Sequence, residues 1–200
     1  VRRNHGAAGI DGMTVEEALP WLKEHRGELL QSIREGSYMP NPVRRKEIPK
    51  PDGGVRKLGI PTVVDRVIQQ AIAQKLQNIW EPLFSDSSYG YRPKRSAGQA
   101  IQKVKEYAEE GYRYAVSVDL SKYFDTLNHE LLMNLLHKQI QDMRVLSLIK
   151  KYLKSGVMEN GVVCKTEEGS PQGGPLSPLL ANIYLNEFDW EMNNRGVKLV

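Results

Sequence analysis

The chain has 200 residues, 40% hydrophobic and 26% charged, a balance typical of a soluble globular protein with one domain or two small subdomains that share a core. No apolar run reaches the ~18 residues of a transmembrane helix and the N-terminus lacks a signal peptide's apolar centre, so we expect a cytoplasmic protein of bacterial type with no membrane partner. The net charge of +4 favours a polyanionic partner. The single cysteine, Cys164, excludes an intramolecular disulfide and a cysteine-based zinc site.

The first third of the chain predicts two helices. Thr14 is placed to cap the first helix, with Glu17 at the capping-box position three residues later. Pro20 is expected to split or kink that helix. The second helix is expected to end at Gly36.

Two short strands around a turn follow between residues 43 and 60. The turn is predicted at Asp52-Gly53-Gly54, because glycine adopts the positive φ values that a tight hairpin requires. Lys50 and Arg56 flank the turn and could converge on a triphosphate. The hairpin is rich in basic residues, and a solvated basic loop is an equally good interpretation: Arg44, Arg45, Lys46, Lys50, Arg56 and Lys57.

Two more helices are predicted, one capped by Asp65 and one starting at Ser96. The second helix is expected to turn Ile101 and Val104 inward. Between the helices, basic and aromatic side chains alternate, as in surfaces that contact phosphates and stack on bases. The residues of this cluster are Tyr89, Tyr91, Arg92, Lys94 and Arg95.

A buried strand is predicted to begin near Tyr112 and to end at Asp119. The Asp119 carboxylate and the neighbouring Leu120 carbonyl are hard oxygen ligands that suit Mg²⁺. A simpler interpretation makes Asp119 an acid that caps the turn after the strand. Asp125, six residues later, is better explained as a turn or helix-capping acid.

The remaining elements are a helix starting near Asn128, a second helix, a strand at residues 161–166, and a Gly/Pro-rich loop that leads into a last helix capped by Ser177. Gln172 lies in that loop between a proline and two glycines, so its backbone can approach a ligand closely. This order predicts an α+β fold with helices on one face of a sheet.

Four stretches in this order resemble successive motifs of reverse transcriptases encoded by group II introns. They are IPKPDGGVRKLGIPTVVDRVIQQAI, FSDSSYGYRPKRSAGQAI, VDLSKYFDTLNHELL and GSPQGGPLSPLLANIYLNEFD. The opening GAAGIDGMT resembles the N-terminal extension of the same family. The order of the motifs favours the group II branch over retron or diversity-generating relatives.

The resemblance implies a right-handed polymerase fold with mixed helices and a small antiparallel sheet. Residues 1–110 would form the fingers with an N-terminal extension, and residues 111–200 would form part of the palm. It further implies binding of Mg²⁺, deoxynucleoside triphosphates, an RNA template with a DNA primer, and the intron RNA that such maturases help to splice. A homodimer is left open.

The resemblance also implies a role for individual side chains. Asp119 would bind the metal with help from the Leu120 carbonyl. The nucleotide would contact Lys50, Arg56, Tyr123, Phe124 and Gln172, with Phe124 excluding a 2′-hydroxyl. The RNA would contact Arg44, Arg45, Lys46, Tyr91, Arg92, Lys94 and Arg95.

The family's Tyr-x-Asp-Asp turn, which supplies further catalytic carboxylates, is expected shortly after Val200, so we expect this stretch by itself not to polymerise. Two other functions stay open. One is an RNA-binding splicing cofactor with an unused polymerase site. The other is an RNA-dependent RNA polymerase, with which bulky Phe124 conflicts, because a small residue there would be needed to admit ribonucleotides.

Overall fold

The computed structural model describes residues 1–51, 53–159, 161–164, 166, 168–170 and 173–200. This part of the chain has the predicted α+β composition. Short 3₁₀ helices span Arg2–Asn4 and Glu81–Leu83. The other elements, in the described part, are α1 (Ala18–Glu24), α2 (Arg26–Arg34), β1 (Val43–Pro49), β2 (Val55–Ile60), α3 (Val63–Trp80), α4 (Ala97–Glu109), α5 (Tyr123–Thr126), α6 (His129–His137), α7 (Met143–Leu153), β3 (Val157–Glu159), β4 (Val162–Cys164) and α8 (Ser177–Asn194).

The sheet has four strands in the order β2-β1-β3-β4. The predicted hairpin is confirmed, since β1 and β2 pair antiparallel with Arg44 opposite Ile60 and Ile48 opposite Arg56. Strands β3 and β4 form a second antiparallel pair. The sheet is mixed rather than purely antiparallel, because β1 and β3 pair in parallel at Val43. The three-residue strand β3 was not predicted.

The main hydrophobic core is shared by the two halves of the chain. It joins α3 to α6, α7 and α8, and so crosses residue 110. The division into fingers and palm at that residue therefore does not separate two cores, and it stays a prediction. The core's most deeply buried side chains are Leu76, Leu127, Leu132, Leu136, Leu146, Ile149, Leu153, Leu176, Leu180 and Ile183.

A buried carboxylate, that of Asp65, joins three parts of the fold. It is 1% exposed and accepts hydrogen bonds from the hydroxyls of Tyr38 (2.7 Å), Thr62 (2.7 Å) and Tyr152 (3.1 Å). The backbone N–H of Asn41 also donates to it (3.2 Å). The pKa values of Tyr38 and Tyr152 are raised, mainly by burial and to a smaller extent by the nearby charge of Asp65. The prediction that Asp65 caps α3 is wrong, because the cap is Thr62 and Asp65 lies one turn inside.

Other helix termini match the sequence predictions only in part. Thr14 and Glu17 exchange the hydrogen bonds of the predicted capping box, with the Thr14 N–H 2.8 Å from the Glu17 carboxylate, but Thr14 does not cap α1, because α1 starts at Ala18 with Glu17 at its N-cap. The prediction that Ser177 caps the last helix is also wrong, because Ser177 is the first residue of α8 and Leu176 is the N-cap. Pro20 does not break α1, because the helix starts at Ala18 and proline is tolerated in a first turn. Helix α6 starts next to Asn128 as predicted, and the Asn128 side chain caps it by accepting from the Leu131 N–H.

Helix α4 starts after Ser96 as predicted, but its apolar face is not buried. Ile101 and Val104 are 59% and 50% exposed, so the prediction that they point into the core is wrong in this structure. Helical periodicity indicates which residues share a face, but not which element covers that face.

The predicted strand before Asp119 does not form in the described part of the chain. Residues 113–120 have no regular secondary structure, and the side chains of Tyr114, Val116 and Val118 are 97%, 89% and 71% exposed. A strand needs a neighbour for its backbone hydrogen bonds, and no described strand pairs with this segment. Within the described residues, no helix is both long and apolar enough to cross a membrane.

We predict that Asp65→Ala lowers the free energy of unfolding by about 3 kcal/mol, because several buried donors would lose a charged acceptor. Glu16 is an exposed acid and provides the control, so Glu16→Ala should change stability by less than about 0.5 kcal/mol. Urea denaturation of both variants measures the difference. A loss below about 1 kcal/mol for Asp65→Ala would contradict a central role for this carboxylate.

Candidate active site

A cavity of about 570 Å³ opens between the β1–β2 hairpin and the Gly/Pro-rich loop that leads into α8. Its volume lies in the range of small-molecule sites. Six separate parts of the chain line it, one of them the N-terminal segment with Val1 and Asn4. The lining residues include Arg56 and Leu58 of β2, Arg66 and Gln70 of α3, Tyr91, Phe124 of α5, and Gly173 and Gly174.

The Gly/Pro-rich loop is attached to α5 through its backbone. The Ser170 N–H donates to the Phe124 carbonyl (2.6 Å), and the Gly169 N–H donates to the Leu127 carbonyl (2.8 Å). Gly169 has a φ of +82°, and a Cβ at this position would lie 2.7 Å from the Phe124 carbonyl oxygen. Only glycine fits there, so the position of Phe124 depends on this loop.

The two glycines at the cavity allow the loop to lie against the hairpin and α3. A Cβ on Gly173, which has a φ of +119°, would lie 2.5 Å from the Gly59 carbonyl oxygen. A Cβ on Gly174 would lie 2.5 Å from Oε1 of Gln69. The wall of the cavity is therefore backbone packed against backbone and against a buried amide.

The structure brings two of the predicted nucleotide contacts to the cavity, Arg56 and Phe124. Tyr123 lies beside Phe124, with ring centroids 5.7 Å apart, but its hydroxyl donates to the Ala181 carbonyl (2.8 Å). Burial raises the pKa of Tyr123, so the hydroxyl stays neutral and anchors α5 to α8. The tyrosine therefore supports the cavity wall.

The other two predicted contacts are not among the described lining residues. Lys50 is exposed at the end of β1, where its backbone N–H donates to the Gly54 carbonyl across the turn (2.7 Å). Gln172 lies outside the described residues, next to Gly173. Their roles stay predictions.

Asp119 and Leu120 are exposed in the segment that follows α4. A carboxylate and a carbonyl fit Mg²⁺, which is commonly bound by one or two carboxylates together with substrate phosphates and water. The described residues contain no group of three or more His, Cys, Asp or Glu side chains that could hold a metal. The Asp119 carboxylate and the Leu120 carbonyl are therefore ligands of the correct type for Mg²⁺, but oxygens of the substrate would have to complete the coordination of the metal.

The basic residues of β1 differ in their surroundings. The Arg44 guanidinium donates two hydrogen bonds, of 2.7 and 3.1 Å, to the Ala8 carbonyl and so attaches the N-terminal segment to the hairpin. Arg45 is half-buried, and Lys46 is exposed. Among these three predicted RNA contacts, Lys46 is the most accessible.

Arg92 is 8% exposed and is part of the protein interior. Its guanidinium donates to the carbonyls of Ser85 (2.6 Å) and Ser88 (2.9 Å). It also pairs with the Glu81 carboxylate at 2.9 Å and lies over the Phe84 ring. The prediction that Arg92 contacts RNA does not fit this position, because its donors are already used inside the fold.

The neighbours of Arg92 remain on the surface. Tyr91 and Lys94 are exposed and have left-handed φ values of 54° and 60°. Arg95 pairs with Asp86 at 2.6 Å and lies over the ring of Tyr89. Tyr91 is the member of this cluster that lines the cavity.

Sequence reasoning missed Arg66 and Gln70. They are four residues apart on α3, so they share a face of the helix, and that face lines the cavity. The spacing alone is a signal for a polar helix face, but it does not indicate that the face meets a cavity.

The family profile described as "Reverse transcriptase (RNA-dependent DNA polymerase)" matches residues 48–200. The group II intron-encoded protein LtrA of Lactococcus lactis subsp. cremoris is 43% identical over 188 residues, which cover 93% of this chain and 31% of LtrA. Protein YkfC of Escherichia coli (strain K12) is 41% identical over 191 residues, which cover 94% of this chain and 50% of YkfC.

A chain of the solved partial Cas6-RT-Cas1–Cas2 complex has a similar fold, with a TM-score of 0.58 and 25% identity. The match covers 91% of this chain and 31% of that one. This chain thus spans half or less of the length of these similar proteins.

We predict that Arg92→Gln lowers the free energy of unfolding by about 2 kcal/mol, because it breaks an ion pair and leaves buried carbonyls without their donor. Lys94→Gln removes the same charge from an exposed position and should change stability by less than about 0.5 kcal/mol. Urea denaturation, with RNA binding measured in parallel, separates the two residues. If Arg92→Gln weakens RNA binding and leaves stability unchanged, the structural role is wrong.

Proposed function

This chain belongs to the reverse transcriptase family, and we propose that it forms the fingers and part of the palm of an RNA-directed DNA polymerase of the kind that group II introns encode. The observation that carries the proposal is the cavity. It joins Arg56, Phe124 and Gly173, which come from three of the motifs that resemble this family. A deoxynucleoside triphosphate is the ligand that we assign to it.

The phosphates and the sugar of that nucleotide have suitable neighbours in the described residues. The Arg56 guanidinium would bind phosphate oxygens, with Lys50 near the hairpin turn as a second positive charge. The Phe124 ring would lie under the sugar and exclude a 2′-hydroxyl by its bulk. The backbone at Gly173 and Gly174 allows close approach of the ligand.

The reaction of such a polymerase joins a primer 3′-hydroxyl to the α-phosphorus and releases pyrophosphate. Asp119, with the Leu120 carbonyl, would hold Mg²⁺, which when bound neutralises charge on the phosphates. The remaining contribution of this chain is positioning of the nucleotide by residues fixed on β2, α5 and the loop. We propose that this stretch by itself does not polymerise, because one exposed carboxylate does not make a two-metal site.

We also propose that the protein binds RNA, both as template and as its intron. The similarity to LtrA supports an intron-encoded origin. Exposed Lys46 and Lys94 supply positive charge, and exposed Tyr91, which lines the cavity, supplies a stacking surface. The competing function, a splicing cofactor with an unused polymerase site, needs the RNA surface but not the nucleotide cavity.

Nucleotide binding by this chain tests the cavity. We expect isothermal titration with dATP and Mg²⁺ to show binding that Arg56→Gln weakens about 10-fold, because charge-assisted hydrogen bonds are lost. Lys57→Gln removes the same charge from the next residue, which lies on the other face of the strand, and should bind as the wild type does. Equal affinities for all three proteins would contradict the assignment.

Primer extension in a longer protein that carries this sequence tests the polymerase itself. We expect Asp119→Ala to reduce extension by about 100-fold or more, because a metal ligand contributes several kcal/mol to charge stabilisation. Asp125→Ala, an exposed acid on α5, is the matched control and should retain extension. Intron splicing, measured in the same variants, should persist. Extension that survives Asp119→Ala would favour the splicing cofactor.

A further inference from the structure

We propose that Arg66 is a second phosphate-binding guanidinium of the cavity, which holds a phosphate group together with Arg56. This inference rests on the proposed function, because it assigns a further residue to the same ligand. The phosphate could belong to the incoming nucleotide or to a nucleic-acid strand. The chemistry that Arg66 would recognise is the same in both cases.

The position of Arg66 is the first argument. It is the fourth residue of α3, directly after the buried Asp65, and it lines the cavity together with Gln70 one turn later. Arg56 lines the same cavity from β2. Two arginines from different elements therefore border one space, a combination that a compact anion of high charge would stabilise.

The hydrogen bonds of Arg66 are the second argument. An arginine side chain has five N–H donors. In the described part of the chain, one of them donates, from Nη2 to the Ala7 carbonyl (2.8 Å). The Nε atom is buried and has no hydrogen-bond partner among the described residues. Because the Nε atom is enclosed by protein, the donors that remain for a ligand are the outer ones, on Nη1 and the second hydrogen of Nη2, which form no hydrogen bond within the described residues.

The charge of Arg66 is the third argument. Arg66 forms no ion pair with a described acid. Burial lowers the pKa of its guanidinium, and the charge of Asp11 only partly opposes this effect. A partly buried cation without a paired anion is unfavourable, and a phosphate would compensate it with two parallel hydrogen bonds.

A purely structural role is the alternative. Arg66 contacts the N-terminal segment, both through the Ala7 carbonyl and through Gly6, where a Cβ would collide with Nη1 of Arg66. If holding this segment were the whole role, removing the guanidinium would alter the N-terminus but would not change the affinity for phosphate.

Nuclear magnetic resonance of the arginine Nε–Hε groups in this chain separates the two roles. The Arg66 signal is assigned as the one that Arg66→Gln removes. We expect it to shift on titration with tripolyphosphate. Titrations with Mg²⁺-dATP and with a short oligoribonucleotide without terminal phosphates show which source supplies the phosphate. No shift with any of the three ligands would overturn the proposal.

Affinities for tripolyphosphate complete the test. We expect Arg66→Gln to weaken binding about 10-fold. Arg66→Lys should weaken it less, because it keeps the charge but loses the planar fork. Arg34→Gln removes a charge from an exposed position on α2 and should have no effect. Thermal unfolding checks that each variant is folded. If Arg66→Gln does not fold, the affinity of Arg66→Lys decides whether Arg66 binds phosphate.

The result for Arg56 distinguishes failure of this inference from failure of the proposed function. If Arg56→Gln weakens binding and neither Arg66 variant does, the cavity binds phosphate without Arg66, and the inference is wrong while the proposed function stands. If no arginine variant changes binding, the cavity is not a phosphate site, and both are wrong. Weakening by both arginines, with Arg34→Gln unchanged, supports the inference.

Discussion

The relative arrangement of α2, α3 and α7 depends on the hydrogen bonds to the Asp65 carboxylate. This group fixes the start of α3 against Tyr38, which follows α2, and against Tyr152 of α7. A buried carboxylate is stable only with such donors, so the three elements have one relative arrangement. Because Arg66 is the next residue, the same contacts that bury Asp65 direct its neighbour to the cavity.

The candidate site combines this fixed helix with a loop that is held by backbone bonds. The backbone carbonyls of Phe124 and Leu127 accept hydrogen bonds from the N–H groups of Ser170 and Gly169. These bonds join α5 and the loop before α8 into one unit. The core that joins α3 to α6, α7 and α8 lies behind this unit. Two borders of the cavity, α5 and the loop before α8, are thus held in place by contacts within the protein.

Local features could be predicted from the sequence, whereas features that need distant partners could not. The hairpin, the reciprocal Thr14–Glu17 hydrogen bonds and the start of α6 next to Asn128 each involve neighbouring residues, and they form as predicted. The sequence pattern before Asp119 predicts a buried strand, but a strand requires a neighbouring strand, which periodicity does not reveal. The sequence pattern predicts that Arg92 is a surface cation. Its burial could not be predicted, because it depends on how residues 81–88 fold around the guanidinium.

The contact between Gly173 and Gly59 has a consequence for motion. These residues are backbone against backbone, with no side chain between them to absorb a displacement. A shift of the hairpin towards a ligand would therefore be transmitted directly to the loop that contains Gln172. The hairpin and the loop would then move together, so a displacement of β2 would also displace Gly173, which lines the same cavity as Arg56.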